Sequence, residues 1–177
     1  SKGNTAGLKG SKTSALECGV RVPASIWWQG VIEDSATDQF MFVQDLLPTL
    51  LTAAGIEIDK SVSFDGSDKW ENLVNDEITP PDNDFVGSQI VFDERALYKG
   101  EWKLHFRKPA MFPGSNGTYS LFNIIDDPFE TKDLSMIELK VFEDMTRYMQ
   151  NIDESKSMPL INPAHTYFYG DSEGGEV

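Results

Sequence analysis

The stretch Gly7-Leu8-Lys9-Gly10-Ser11-Lys12-Thr13-Ser14-Ala15-Leu16-Glu17-Cys18-Gly19-Val20-Arg21-Val22-Pro23 holds the residues best suited to chemistry. Its glycines let the backbone approach a ligand closely, and Lys9 and Lys12 can bring ammonium groups beside a bound anion. Each ammonium has about 4 kcal/mol of raw Coulomb energy at ~4 Å with an effective dielectric of about 20, which solvent reduces considerably. The spacing lacks the Gly-x-x-x-x-Gly-Lys-[Ser/Thr] form, so a nucleotide-phosphate loop is not supported. On residue types alone, an oxyanion site and a solvated loop both remain open. The other candidates are weaker. Cys18 is the only cysteine, which leaves no intrachain disulfide and no cysteine-based zinc site, and it reads as a packed thiol. Strand alternation puts His105 on the same face as Lys103 and Arg107, where it is expected to face solvent. His165 lies in the tail. Asp126 and Asp127 with Glu130 could form a weak cation site, but a solvated turn is the expectation. Asn116-Gly117-Thr118 satisfies the N-glycosylation pattern.

Those residues need a scaffold. A chain of 177 residues, 40% hydrophobic and 25% charged, can build one large domain or two small ones. Fifteen basic against 29 acidic residues give a net charge of −14, which repels phosphate backbones and anionic lipid, so no nucleic-acid and no membrane partner is expected. No apolar run reaches the ~18 residues of a membrane helix. Residues 20–28 are rich in β-branched and aromatic types and predict a buried strand over 24–28, with Pro23 at its start. Leu46, Leu47, Leu50, Leu51 and Ala54 recur at helical spacing, with Asp45 as cap, Pro48 in the first turn and Gly55 at the stop. Pro80-Pro81 and acidic punctuation make 59–87 a long loop with one helical turn. Strands are expected at 89–92, 95–98, 102–107 and 118–122. The short Lys99-Gly100-Glu101 connection suits a hairpin and hence an antiparallel sheet. Helical spacing resumes over 136–152, and one face of that helix should cover the sheet.

The 7–23 stretch closely resembles a segment of the type I sulfatases, Gly-Leu-[Lys/Arg]-Gly-x-Lys-x-[Ser/Thr]-x-x-Glu-Gly-Gly-x-Arg-Val-Pro. Further pieces follow in that family's order. Trp28-Gln29-Gly30 looks like its Trp-Pro-Gly. Asp45-Leu46-Leu47-Pro48-Thr49-Leu50-Leu51 with Ala54-Gly55 resembles its Asp-Leu-x-Pro-Thr-Leu-x-x-x-Ala-Gly, and Phe64-Asp65-Gly66 its Leu-Asp-Gly. Gly100-Glu101-Trp102-Lys103 is similar to its Gly-x-Trp-Lys hairpin. Ser120-Leu121-Phe122-Asn123 through Asp127-Pro128-Phe129-Glu130 is similar to its Glu-Leu-Tyr-Asp-Leu-x-x-Asp-Pro-x-Glu. The resemblance spans about residues 3–150.

It implies the C-terminal part of a formylglycine-dependent sulfatase, arylsulfatase-like, within the alkaline-phosphatase-like superfamily. The implied class is α/β overall and α+β in this portion. Residues 1–87 would end the catalytic α/β domain, 88–153 would form an antiparallel subdomain of about four strands covered by one helix, and 154–177 an extended tail. In that family a formylglycine within Cys/Ser-x-Pro-x-Arg attacks sulfur beside a calcium ion held by Asp and Asn oxygens. Both parts are implied to lie upstream, so this chain alone is expected to be inactive and to hold no metal ligand. Cys18 has Val20 where the proline would be and Arg21 one residue too early, so it does not match the modified cysteine. Lys12 matches the lysine that contacts the sulfate and is the one catalytic and substrate-binding residue implied here. Lys9 is implied to be a surface charge, and Glu17 with Arg21 a structural ion pair. The implied partners are a sulfate-ester substrate and the upstream half, in a periplasmic or secreted setting. An opening in a glycine-rich loop without Met fits a piece of something longer. Two other readings stay open: a noncatalytic module binding sulfated glycans through Trp27, Trp28, Trp70 and Trp102, and a phosphate or phosphonate ester hydrolase of the same superfamily.

Overall fold

The computed structural model describes residues 5–57, 59, 61–80, 85–89, 94–108 and 116–155, with side chains described throughout except at 85–89 and 153–155. Its centre is a four-stranded antiparallel sheet of β1 (Phe85–Gln89), β2 (Glu94–Lys99), β3 (Trp102–Arg107) and β4 (Thr118–Asn123), in chain order across the sheet. This is the α+β arrangement expected, and the β2–β3 hairpin turns through Gly100 with Lys99 opposite Trp102. The first strand lies earlier than the sequence suggested, at Phe85–Gln89, and residues 90–92 of that expectation fall outside the described residues.

Alternation along the strands makes two apolar faces. On one, Leu97, Leu104, Phe106 and Leu121 meet Met145 and Met149 of α4 (Leu139–Ser155), so the helix covers the sheet as its spacing required. On the other, Ala96, Tyr98, Phe122 and Ile124 pack with Ala15, Leu16, Val20, Phe40 and Phe42. The glycine-rich stretch therefore forms the second cover of the sheet, through Ser14, Ala15 and a single turn of helix, α1 (Glu17–Val20).

The second cover corrects the reading of β3. His105 is only 7% exposed and Lys103 is fully buried, because the face assigned to solvent carries the 14–20 segment. Sequence alternation found the correct face and not its occupant.

Two further expectations change. Residues 24–28 form no strand and are exposed throughout. A strand needs a neighbour for its N–H and C=O groups, and none of the described strands pairs with this segment. The helix after Asp45 is present as α2 (Leu46–Ala53), with Gly55 in the left-handed region. Three of its four leucines do not face a core, however: Pro48 and Thr49 are buried and Leu51 is partly buried, while Leu46, Leu47 and Leu50 are 46%, 56% and 53% exposed. Asp45 is buried and does not cap α2. Its Oδ2 accepts from the Phe42 N–H at 2.8 Å and its Oδ1 from the Ser67 N–H at 2.8 Å, closing the 3-10 turn Val43–Asp45 and tying in the 64–67 segment. The expected helical turn in the long loop is α3 (Trp70–Asn75).

Candidate anion-binding loop and its buried anchors

The 7–19 loop owes its shape to backbone freedom at a few points. Gly10 has φ +96° and Thr13 φ +74°, and the Ser14 N–H donates to Ser11 O at 3.0 Å, so the chain doubles back beside Lys12. The Cys18 N–H donates to Lys9 O at 2.9 Å and closes the base. A Cβ on Gly19 would lie 2.0 Å from Ser14 O, so only glycine admits that approach.

Two buried polar clusters fasten this loop to the sheet. In the first, the Lys103 Nζ lies 2.8 Å from Glu17 Oε1 and 2.8 Å from Glu130 Oε1, and 4.9 Å from the centre of the Tyr98 ring. Tyr98 Oη donates to Glu17 Oε1 at 2.7 Å, and the Glu17 N–H donates to Glu130 Oε2 at 2.9 Å. Burial, then the Glu17 carboxylate, push the Tyr98 phenol well above its ordinary range, which keeps its proton available for donation. One ammonium is thus shared by two carboxylates from distant parts of the chain, the compensation a buried charge requires.

In the second cluster, Glu94 Oε1 accepts from Ser14 Oγ at 2.7 Å and from the Ala15 N–H at 3.0 Å, and lies 2.7 Å from His105 Nε2. Burial pushes the Glu94 carboxyl up, but the bonds from His105, Ser14 and Ala15 together outweigh it and hold it below the usual range. Burial lowers His105 more than Glu94 raises it, so the imidazole is neutral near pH 7. An ionised carboxylate only accepts, so Nε2 carries the imidazole proton and donates it to Glu94.

The site residues read from sequence fall unevenly on this frame. Lys12 is exposed, two residues from the Ser14 anchor, and among the described residues its ammonium has no ion-pair partner. Lys9 is a surface residue whose Nζ is tethered, donating to Glu130 O at 3.0 Å and standing 5.2 Å from the centre of the Phe122 ring. Glu17 and Arg21 do not pair with each other: Glu17 turns inward to Lys103, and Arg21 reaches outward to Asp38 Oδ1 at 2.8 Å. Cys18 is a free, partly buried thiol. Asp127 takes the Thr131 hydroxyl and the Lys132 N–H, which makes the 126–132 stretch a self-bonded turn, and Glu130 belongs to the Lys103 cluster. Among the described residues no group of three or more His, Cys, Asp or Glu side chains could hold a metal ion.

Sequence reading missed Glu94, Lys103 and Glu130 as parts of the site. The available signal was the pair of ionisable residues, Lys103 and His105, alternating with apolar ones on a strand whose neighbours are also largely apolar. Their partners stand up to 86 residues away in the chain.

In its fold and over most of its length this chain is similar to part of known sulfatases. The chain is sulfatase-like, and the comparisons with known proteins agree. It is 28% identical over 153 residues to an uncharacterised sulfatase of Schizosaccharomyces pombe, covering 81% of this chain and 27% of that protein. It is 32% identical over 102 residues to arylsulfatase A of Bos taurus, covering 56% of this chain and 20% of that protein. A solved Bacteroides thetaiotaomicron protein, described with the metabolism of multiple glycosaminoglycans, shares the fold at a TM-score of 0.64 and 17% identity, over 83% of this chain and 32% of its own. No family model matches. The chain thus spans about a quarter of the length of these curated relatives.

Proposed function

We propose that this chain supplies the lysine-bearing wall of a sulfate-ester hydrolase active site, and that Lys12 is its catalytic and substrate-binding residue. The observation that carries the reading is the 7–21 loop: a lysine without an ion-pair partner among the described residues, next to a segment bonded at Ser14, Ala15 and Glu17 to a buried frame. In sulfate-ester cleavage negative charge spreads over the nonbridging and departing oxygens, and a positioned ammonium stabilises it there. A formylglycine nucleophile and calcium ligands would come from an upstream half, and the isolated chain is then inactive. The exposed Val22, Trp27, Leu47 and Leu50, with the unpaired 24–28 segment, support such a partner, since they leave strand-forming and apolar residues uncovered. A secreted or periplasmic setting goes with this reading, and among the described residues no helix is long and apolar enough to cross a membrane.

The test is Lys12→Ala in the longer protein, assayed on an aryl sulfate. Turnover is expected to fall by about two orders of magnitude or more. A loss of only a few-fold would remove Lys12 from the chemistry. Parallel assay on an aryl phosphate separates sulfatase from phosphate ester hydrolase. A second reading, a noncatalytic sulfated-glycan binder, draws on Trp27, which is 83% exposed. Saturable binding of sulfated glycan by the isolated chain, lost in Trp27→Ala, would favour it.

A further inference from the structure

We propose that Glu94 is a positioning residue for Lys12, setting the direction in which the loop presents its ammonium; this rests on the reading of Lys12 as the anion contact. The geometry is local and specific. A single carboxylate oxygen, Oε1, gathers the Ser14 hydroxyl, the Ala15 N–H and His105 Nε2 within 3.0 Å. The Ser14 hydroxyl in turn accepts from the Leu16 N–H at 3.1 Å, so three consecutive residues are referred to one point on β2. Only Thr13, at φ +74°, separates Lys12 from this anchor. Glu94 is itself 3% exposed and is held from the sheet side by His105, so the reference point does not move with solvent. A neutral side chain lacking the acceptor would leave two loop donors and the His105 N–H without their shared partner. Misplacement of a reacting group by about 1 Å is enough to cost ~100-fold in rate. The Lys103 cluster does a different job: it fixes Glu17, at the far side of the Ala15–Leu16 crossing from Lys12.

Amide hydrogen exchange on the 177-residue chain tests the anchor, comparing wild type, Glu94→Leu, Glu94→Gln and Ser14→Ala. In Glu94→Leu, exchange at Ala15 and Leu16 is expected to rise by about tenfold relative to Leu97, Leu104 and Leu121 in the sheet. Glu94→Gln keeps an acceptor and is expected to restore most of the protection. Should Glu94→Leu fail to fold, Ser14→Ala, which removes one donor to Glu94 and also the acceptor of the Leu16 N–H, carries the local expectation at Ala15. A uniform rise across the sheet, or unchanged protection at Ala15 and Leu16, overturns the anchor. In the longer protein Glu94→Leu is expected to lower kcat for an aryl sulfate more than it raises KM, with recovery in Glu94→Gln. If Lys12→Ala is fully active there, the reading of Lys12 fails whatever Glu94 does. If Lys12→Ala is inactive while Glu94→Leu is unimpaired, only the positioning role fails.

Discussion

The sheet with its two covers and the stretches 22–31 and 46–56 are all rich in apolar residues and meet opposite fates. Between β2 and α4, Leu97, Leu104, Leu121 and Met149 are at most 1% exposed, and even Lys103 and Glu130 are sealed with partners. Across 21–57, Val22, Trp27, Leu46, Leu47 and Leu50 stand open, and Trp28, itself exposed, has the Trp70 ring beside it at 5.6 Å. Composition alone does not separate these regions. What separates them is whether a second layer exists within the chain to receive the apolar face. The sheet finds two layers, whereas α2 buries only Pro48 and Thr49, the latter bonded to the Lys69 N–H, and leaves Leu46, Leu47 and Leu50 open, as the 24–28 segment is open. The lesson is that an amphipathic pattern states a need for burial, and only the tertiary structure says whether the same chain meets it.

The contrast can be broken most forcefully at its buried charge. Lys103→Ala leaves Glu17 and Glu130 facing each other without a cation and is expected to cost about 3–5 kcal/mol, read from the urea midpoint. A cost under about 1 kcal/mol would mean that water reaches the cluster. Next in size, Leu104→Ala opens a cavity between the sheet and α4 and is expected to cost about 2–5 kcal/mol by the same measurement.

Acid should act through the Glu94 cluster. Both of its titratable groups have folded-state pKa values below their unfolded ones. For each, the unfolded chain binds protons first as pH falls, so the stability is present above the unfolded value and lost on acidification. His105 starts the decline near its unfolded value of about 6.5, and Glu94 steepens it below about 4.3. Urea titrations at a series of pH values should show this slope, and His105→Gln should remove its upper part. A stability that rises from pH 7 to 5 would contradict the neutral, buried imidazole.

The smallest effect belongs to the open region. Leu50→Ser in the isolated chain is expected to change stability by no more than about 0.5 kcal/mol, since little contact is lost. A large loss would show that α2 is covered after all and would erase the contrast between the regions.

Much of this architecture could be read from residues. Apolar alternation over 95–98, 102–107 and 118–122 and the glycine at 100 specify a hairpin and its neighbour, because strand period and turn chemistry are local properties. The 3.6-residue spacing before Met149 likewise specifies α4 and its buried face. The lysine loop was visible as a motif whose glycines and cations suit an anion. What no local pattern could supply was the identity of the second cover. Glu17 was legible as a charge next to Arg21, yet it bonds to a lysine on a strand far along the chain, and His105 was legible as polar and therefore assigned to water. Residue type and spacing determine which side of an element each group occupies. Whether that side meets solvent, a carboxylate or a core depends on which distant segment closes over it, and that choice is made by the packing of the whole chain.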